Sequence, residues 1–136
     1  MDYTINEVAR KFGLTAHTLR YYDKEGLLPF VERTPSGNRR FTDEDLNWIA
    51  LICCLKDTGM PIKEIKTYSE WALKGKDTVD ERKRMLIEHR LEVVRQIEQL
   101  QHNLKLIDDK IGFYNDPEYI AHLEERLNRR GHHQQA

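Results

Sequence analysis

The residues able to do chemistry fall into two sets. The first is a pair of adjacent cysteines, Cys53 and Cys54, the only thiols in 136 residues. A thiolate is a nucleophile, but a free thiol with a pKa of about 8.5 is mostly protonated at neutral pH and needs a cationic neighbour. Lys56, or a base from another element, could serve. Adjacent cysteines do not easily close an unstrained disulfide with each other. In a reducing compartment both are expected as thiols. On a helix their side chains point about 100° apart, so they cannot share one environment, and Cys53 reads as a small buried hydrophobe. The second set lies near the N-terminus. If Ala16 and Leu19 face inward on a short helix, His17, Thr18 and Tyr21 lie on the opposite side. There they can present hydrogen-bonding groups to base edges or phosphates. The competing reading of His17 is a solvated surface histidine.

Other chemistries lack their residues. There is no CxxC and no Cys/His cluster of zinc-finger spacing. His89, His102, His122, His132 and His133 are scattered or terminal and read as surface residues, so neither a metal site nor a cofactor is expected. No glycine-rich phosphate loop occurs. Asp43-Glu44-Asp45 sits at a helix cap and Asp108-Asp109 on a solvated helix face. Nothing shapes a pocket around a Cys–His pair. The expectation is therefore not an enzyme.

Composition frames this. Charged residues make up 33% and hydrophobic ones 39%, with 7 glycines and 4 prolines. Such a balance points to a mainly α, soluble protein with a modest core. The longest uncharged apolar run, Trp48 to Leu55, is far shorter than the roughly 18 residues of a membrane span. The first residues include Asp2, Glu7, Arg10 and Lys11 and no apolar stretch, so no secretory signal is expected and the location is cytoplasmic. Net charge is −1, yet residues 1–41 hold seven basic and five acidic side chains, a net of +2. A mildly basic head on an acidic body permits nucleic-acid binding without demonstrating it.

The positioning elements follow from caps and periodicity. Ile5, Val8, Ala9 and Phe12 form one helical stripe, with Thr4 as N-cap, Glu7 as its capping-box partner and Gly13 as the stop. Thr15 caps a second helix, Ala16 to Glu25, stopped by Gly26. Two short helices joined by a glycine turn make a helix-turn-helix. Extended Phe30-Val31, the turn Thr34-Pro35-Ser36-Gly37-Asn38 and extended Arg39-Arg40-Phe41 read as a hairpin wing. Thr42 caps a third helix whose apolar face is Leu46, Ile49, Ala50, Cys53 and either Leu55 or Cys54. Pro61 opens a fourth, with Ile62, Ile65, Tyr68, Trp71 and Ala72 inward and Gly75 at its end. From Thr78 to Tyr114, Leu86, Val93, Leu100, Ile107 and Tyr114 recur every seven residues, interleaved with Ile97, Leu104 and Ile111; Arg90 is the one polar position. That is a coiled-coil seam that needs a partner helix, most simply from a second copy. Periodicity leaves parallel and antiparallel pairing open. The expected layout is a head over 1–75, a dimerisation helix over 76–116 and a short helical tail over 117–136, disordered from Gly131.

Together these residues carry a resemblance. Thr4-Ile5-Asn6-Glu7-Val8-Ala9, Thr18-Leu19-Arg20-Tyr21-Tyr22-Asp23, Gly26-Leu27-Leu28, Gly37-Asn38-Arg39-Arg40-Phe41 and Asp45 make residues 3–75 resemble the DNA-binding domain of the MerR family of bacterial transcription regulators. Cys54-Leu55-Lys56-Asp57-Thr58-Gly59-Met60-Pro61 looks like its aldehyde- and electrophile-responsive subgroup, the AdhR/NmlR type. The resemblance implies a homodimeric winged helix-turn-helix. The second helix would lie in the major groove of promoter DNA, with the wings on flanking backbone. The protein would be an activator that distorts an overlong promoter spacing for RNA polymerase.

The resemblance also assigns residues. Arg20 and Tyr21 match the backbone-contacting pair, although Arg20 could instead pair with Asp23 or Glu25. Thr15 starts a helix where the family often places a phosphate, and Lys24 is a weaker candidate. On the wing, at least one of Arg39 and Arg40 is expected on phosphate. Cys54 aligns with the subgroup's reactive thiol; the competing reading is an inert core thiol. Metal-sensing relatives carry cysteines around and beyond the long helix, and residues 55–136 contain none. The alternatives are a regulator of this type without thiol sensing, and a coiled-coil architectural or interaction protein.

Overall fold

The computed structural model describes residues 1–135, with side chains through Gly131. It contains two compact units, one from Met1 to Leu91 and a second that begins at Glu92. The elements are helix α1 (Ile5–Phe12), α2 (Ala16–Lys24), strands β1 (Glu32–Arg33) and β2 (Arg39–Arg40), then α3 (Asp43–Asp57), α4 (Ile62–Leu73), a 3-10 turn (Gly75–Thr78), α5 (Val79–Tyr114) and α6 (Pro117–Gln135).

The first unit starts with local capping. Thr4 Oγ1 accepts from the Glu7 amide at 3.3 Å, and the Glu7 carboxylate accepts from the Thr4 amide at 3.3 Å. Two orphan donors are thereby satisfied. Gly13 closes α1 at φ 65°, a left-handed conformation that costs glycine nothing. Thr15 Oγ1 accepts from the Thr18 amide at 3.0 Å and opens α2. Val8, Ala9, Leu19 and Tyr22 are buried between the two helices and the rest of the core.

The wing is shorter than its sequence suggests: its first strand lies two residues later than expected, and its second, at the expected place, stops at Arg40. Its antiparallel pairs are Glu32 with Arg40 and Arg33 with Arg39. Phe30-Val31 is not a strand, because the Val31 amide turns back to the Leu28 carbonyl. Phe41 is fully buried and bridges Tyr3, its amide donating to the Tyr3 carbonyl at 3.1 Å.

α3 forms the centre of this unit. Asp45 closes its capping box with Thr42 and is itself buried. The buried face is Leu46, Ile49, Ile52 and Leu55, with Ala50 exposed and Cys53 half-buried. The face expected from periodicity shares Leu46 and Ile49 with this one but includes Ala50 and omits Ile52, and half-buried Trp48 packs beside it. Its indole N–H donates to the Leu27 carbonyl at 2.7 Å. Its ring stacks on Tyr68 of α4 at 5.6 Å and meets the edge of Phe30 at 5.8 Å.

The first turns of α5 belong to this unit, which therefore runs past the boundary expected at residue 75. Met85 and Leu86 pack against the core. Leu86, assigned by periodicity to the dimer seam, is thus half-buried against its own head. His89, read as a surface residue, is half-buried with Nε2 at 2.7 Å from Thr58 Oγ1.

In the second unit, Lys110 bonds the Tyr119 hydroxyl, and Phe113 stacks on Tyr119 at 5.2 Å. These contacts fasten the end of α5 to the start of α6. α6 continues through Gly131 to Gln135, where composition predicts disorder; Ala136 lies outside the described residues. Among the described residues no helix is long and apolar enough to cross a membrane.

Replacing Trp48 by Phe would leave the Leu27 carbonyl without its donor. The expected loss is about 1–3 kcal/mol, read as a lower denaturation midpoint; an unchanged midpoint would show that this bond contributes nothing.

Candidate nucleic-acid interface

Four side chains of α2 are exposed on one stripe: His17, Arg20, Tyr21 and Lys24. Their spacing of i, i+3, i+4 and i+7 is one face of a helix. Among the described residues Arg20 and Lys24 make no ion pair, so neither joins Asp23 or Glu25. Two unpaired cations, an imidazole and a phenol can address phosphates and base edges together. Thr18 departs from its expected place. It is half-buried, and its hydroxyl lies 2.9 Å from that of Thr15, so it belongs to the helix cap.

The wing's two arginines differ. Arg39 Nε donates to Asp23 Oδ2 at 2.7 Å, and both side chains are largely sheltered, at 17% and 22% exposure. This bond joins the wing to α2. Arg40 reaches Asp2 and Glu32, each at 3.3 Å, with all three side chains about half exposed or more. Exposed pairs are worth roughly 0–1 kcal/mol, so Arg40 can leave them for a phosphate at small cost. Breaking the sheltered Arg39 pair costs more. Arg40 is therefore the wing's mobile cation and Arg39 its fastener. From sequence Asp23 reads only as a possible partner of Arg20, because its bond to Arg39 exists only across the turn to β2.

The wing's tip is built from its own backbone. The Thr34 amide donates to the Asn38 carbonyl at 2.7 Å, and the Asn38 amide to Thr34 Oγ1 at 3.2 Å. Gly37 holds φ 88°, which a side chain would strain. Arg33 also folds back, its Nη1 donating to the Gly37 carbonyl at 3.2 Å. Below the tip lies a polar hollow of about 390 Å³, lined by Thr4, Ile5, Asn6, Arg20, Gly37, Asn38 and Arg39. It sets the first turn of α1 beside the Arg20 guanidinium. A helix N-terminus next to a cation is a favourable seat for an anionic oxygen. Asn6 and Asn38 were passed over in the sequence because asparagine near a cap or turn reads as local structure.

Comparison with known proteins decides the family. Residues 3–70 match the MerR HTH family regulatory protein model, and residues 46–109 a MerR DNA-binding model. An uncharacterized HTH-type transcriptional regulator of Haemophilus influenzae is 48% identical over 124 residues, covering 91% of this chain and 92% of that one. This chain belongs to the MerR family. It is a DNA-binding transcriptional regulator, and its relatives are regulators rather than enzymes. The HTH-type transcriptional regulator AdhR of Bacillus subtilis is 41% identical over 90 residues, 66% of this chain and 64% of that one. The crystal structure of HiNmlR, a MerR family regulator lacking the sensor domain, bound to promoter DNA, superposes with a TM-score of 0.80 at 45% identity, over 89% of this chain and 96% of that one. These likenesses support the AdhR/NmlR-like subgroup.

The cysteines of this MerR chain are separated as the helix geometry requires. Cys53 is half-buried, and burial pushes its thiol up from the ordinary value. Cys54 is exposed, not a core thiol. Lys56, its expected activator, is committed elsewhere. Its ammonium donates to the Tyr22 hydroxyl at 2.8 Å, and that bond holds it above the usual lysine range. Among the described residues no cluster of three or more His, Cys, Asp or Glu side chains could hold a metal ion.

Exposure favours Cys54 in alkylation, and burial disfavours Cys53 by raising its thiol pKa. Limited iodoacetamide at neutral pH is expected to label Cys54 well before Cys53, with Cys53 catching up only as pH rises through its elevated pKa. Peptide mass spectrometry reads the order, and equal labelling at neutral pH would contradict it.

Proposed function

We propose that the chain acts as a homodimer on promoter DNA, each α2 entering the major groove and each wing gripping flanking backbone. The observation that carries this is the open stripe of His17, Arg20, Tyr21 and Lys24 beside a wing fastened by Asp23–Arg39. His17 reads base edges, while Arg20, Tyr21, Lys24 and Arg40 take phosphates. Thr15 and Thr18 shape the start of α2 near the backbone. Dimerisation is supported by the apolar row on α5. Ile97, Leu100, Leu104, Ile107, Ile111 and Tyr114 are exposed in the single chain, Val93 is half-buried, and no residue of α5 is fully buried. A solvent-facing row of this kind is what a second helix covers. Leu86 would serve the seam at most in part, since it packs on the head.

The effect on transcription is activation. Two heads joined at a set separation bend or twist a promoter whose two recognition elements are too widely spaced, and RNA polymerase then engages both. This follows the family resemblance, as does the cytoplasmic location.

A footprint on a pseudo-palindromic promoter site tests the DNA reading. Arg20→Ala should weaken binding and lower the slope of log affinity against log salt by about two units, one for each protomer of the dimer. Broad, sequence-independent protection would favour the architectural alternative.

For regulation we infer that Cys54 is the site of electrophile attack, supported by its exposure and the likeness to AdhR and HiNmlR. The reading without thiol sensing draws on one observation, the engagement of Lys56 by Tyr22. Reporter induction by an aldehyde separates them: loss of induction in Cys54→Ala supports the sensor, and equal induction removes it.

A further inference from the structure

The end of α3 and the start of α5 meet at one polar contact that motif matching does not reach. Thr58 follows α3 directly. Its hydroxyl oxygen lies 2.7 Å from the Cys54 carbonyl and 3.3 Å from the Leu55 carbonyl. The same oxygen lies 2.7 Å from His89 Nε2. A hydroxyl has one proton, and a carbonyl can only accept. The proton is therefore spent on the α3 carbonyls, and the Thr58 oxygen accepts from His89. His89 must carry a hydrogen on Nε2. The chain of donors runs from the His89 ring through Thr58 to the Cys54 carbonyl. Apolar contact supports it on the same helix face, where Met85 and Leu86 pack against the head's core one turn earlier.

We propose that His89 is a positioning residue. Its Nε2–H bond to Thr58 latches the first turns of α5 to the last turn of α3, and this latch is needed for selective DNA binding. The inference rests on the dimeric DNA-binding reading. If α5 carries the seam, each head is joined to it through residues 82–91. A head loosely held there still finds phosphates by charge, but holds its α2 stripe in register with the bases less well. The latch therefore supports selectivity and not the electrostatic part of affinity. It also ties the backbone carbonyl of Cys54 to α5.

The test uses the full chain and a duplex selected by the wild type from a random pool. His89→Ala should lose about tenfold in affinity for that duplex, two latches being broken per dimer, with non-specific affinity and salt slope unchanged. His89→Gln, which keeps a donor, should retain most of the selectivity, and Thr58→Ala should mimic His89→Ala. Amide exchange gives a readout without DNA: Met85–Leu91 should exchange faster in His89→Ala and Thr58→Ala, and near the wild-type rate in His89→Gln. Unchanged exchange in both alanine variants would overturn the latch. Faster exchange with undiminished selectivity would overturn its role in DNA binding. If the wild type selects no sequence, the DNA-binding reading itself fails, and the proposed role fails with it.

Discussion

Two paired strands of two residues have almost no stability of their own, so the wing exists only because it is fastened to helices. Two links do this. Phe41, fully buried, exchanges backbone hydrogen bonds with Tyr3 and so roots β2 beside the start of α1. Arg39, just before it, reaches Asp23 on α2. The links lie on β2 and just past its end, which leaves β1 and the tip to be carried by pairing and by the turn at Gly37. The same links place the wing beside the exposed stripe of α2. The two parts are therefore one mechanical piece, and the Arg39 charge that joins them is held by Asp23.

Behind this piece, α3 is the platform. Its buried residues touch more than one neighbour, which a small unit needs if few side chains are to exclude water from several elements. Trp48 shows the economy of the arrangement. One side chain satisfies the Leu27 carbonyl, stacks on Tyr68 and edges Phe30. The capping box of Thr42 and Asp45 lets a buried carboxylate remain hydrogen-bonded at the positive end of the helix. α5 then completes the core with Met85 and Leu86, half-buried rather than sealed.

What could be read in advance was local. Thr4, Thr15 and Thr42 cap helices as their spacing predicts, and Gly13 takes the left-handed conformation expected of a helix stop. The long helix runs to Tyr114, and its apolar residues from Ile97 onward are exposed in the single chain. The exposed stripe on α2 was visible apart from Thr18, whose hydroxyl turned to Thr15. Less of the partner choice was visible. Asp23 was considered for Arg20, three residues away, yet it binds Arg39 sixteen residues on. Lys56 was considered for Cys54, yet it binds Tyr22.

The amino-acid order alone determined the helix starts and stops, the presence of a hairpin, the family signature and the seven-residue repeat. Each depends on residues within a turn or two of one another, where backbone geometry dictates the meeting. Tertiary structure alone decided which cation is free and which is held, which face of α3 is covered, that Leu86 and His89 turn toward the head, and that Cys54 stays exposed. Those outcomes depend on groups brought together across intervening chain, and a short-range pattern holds no information about which of several chemically equivalent partners will lie within reach.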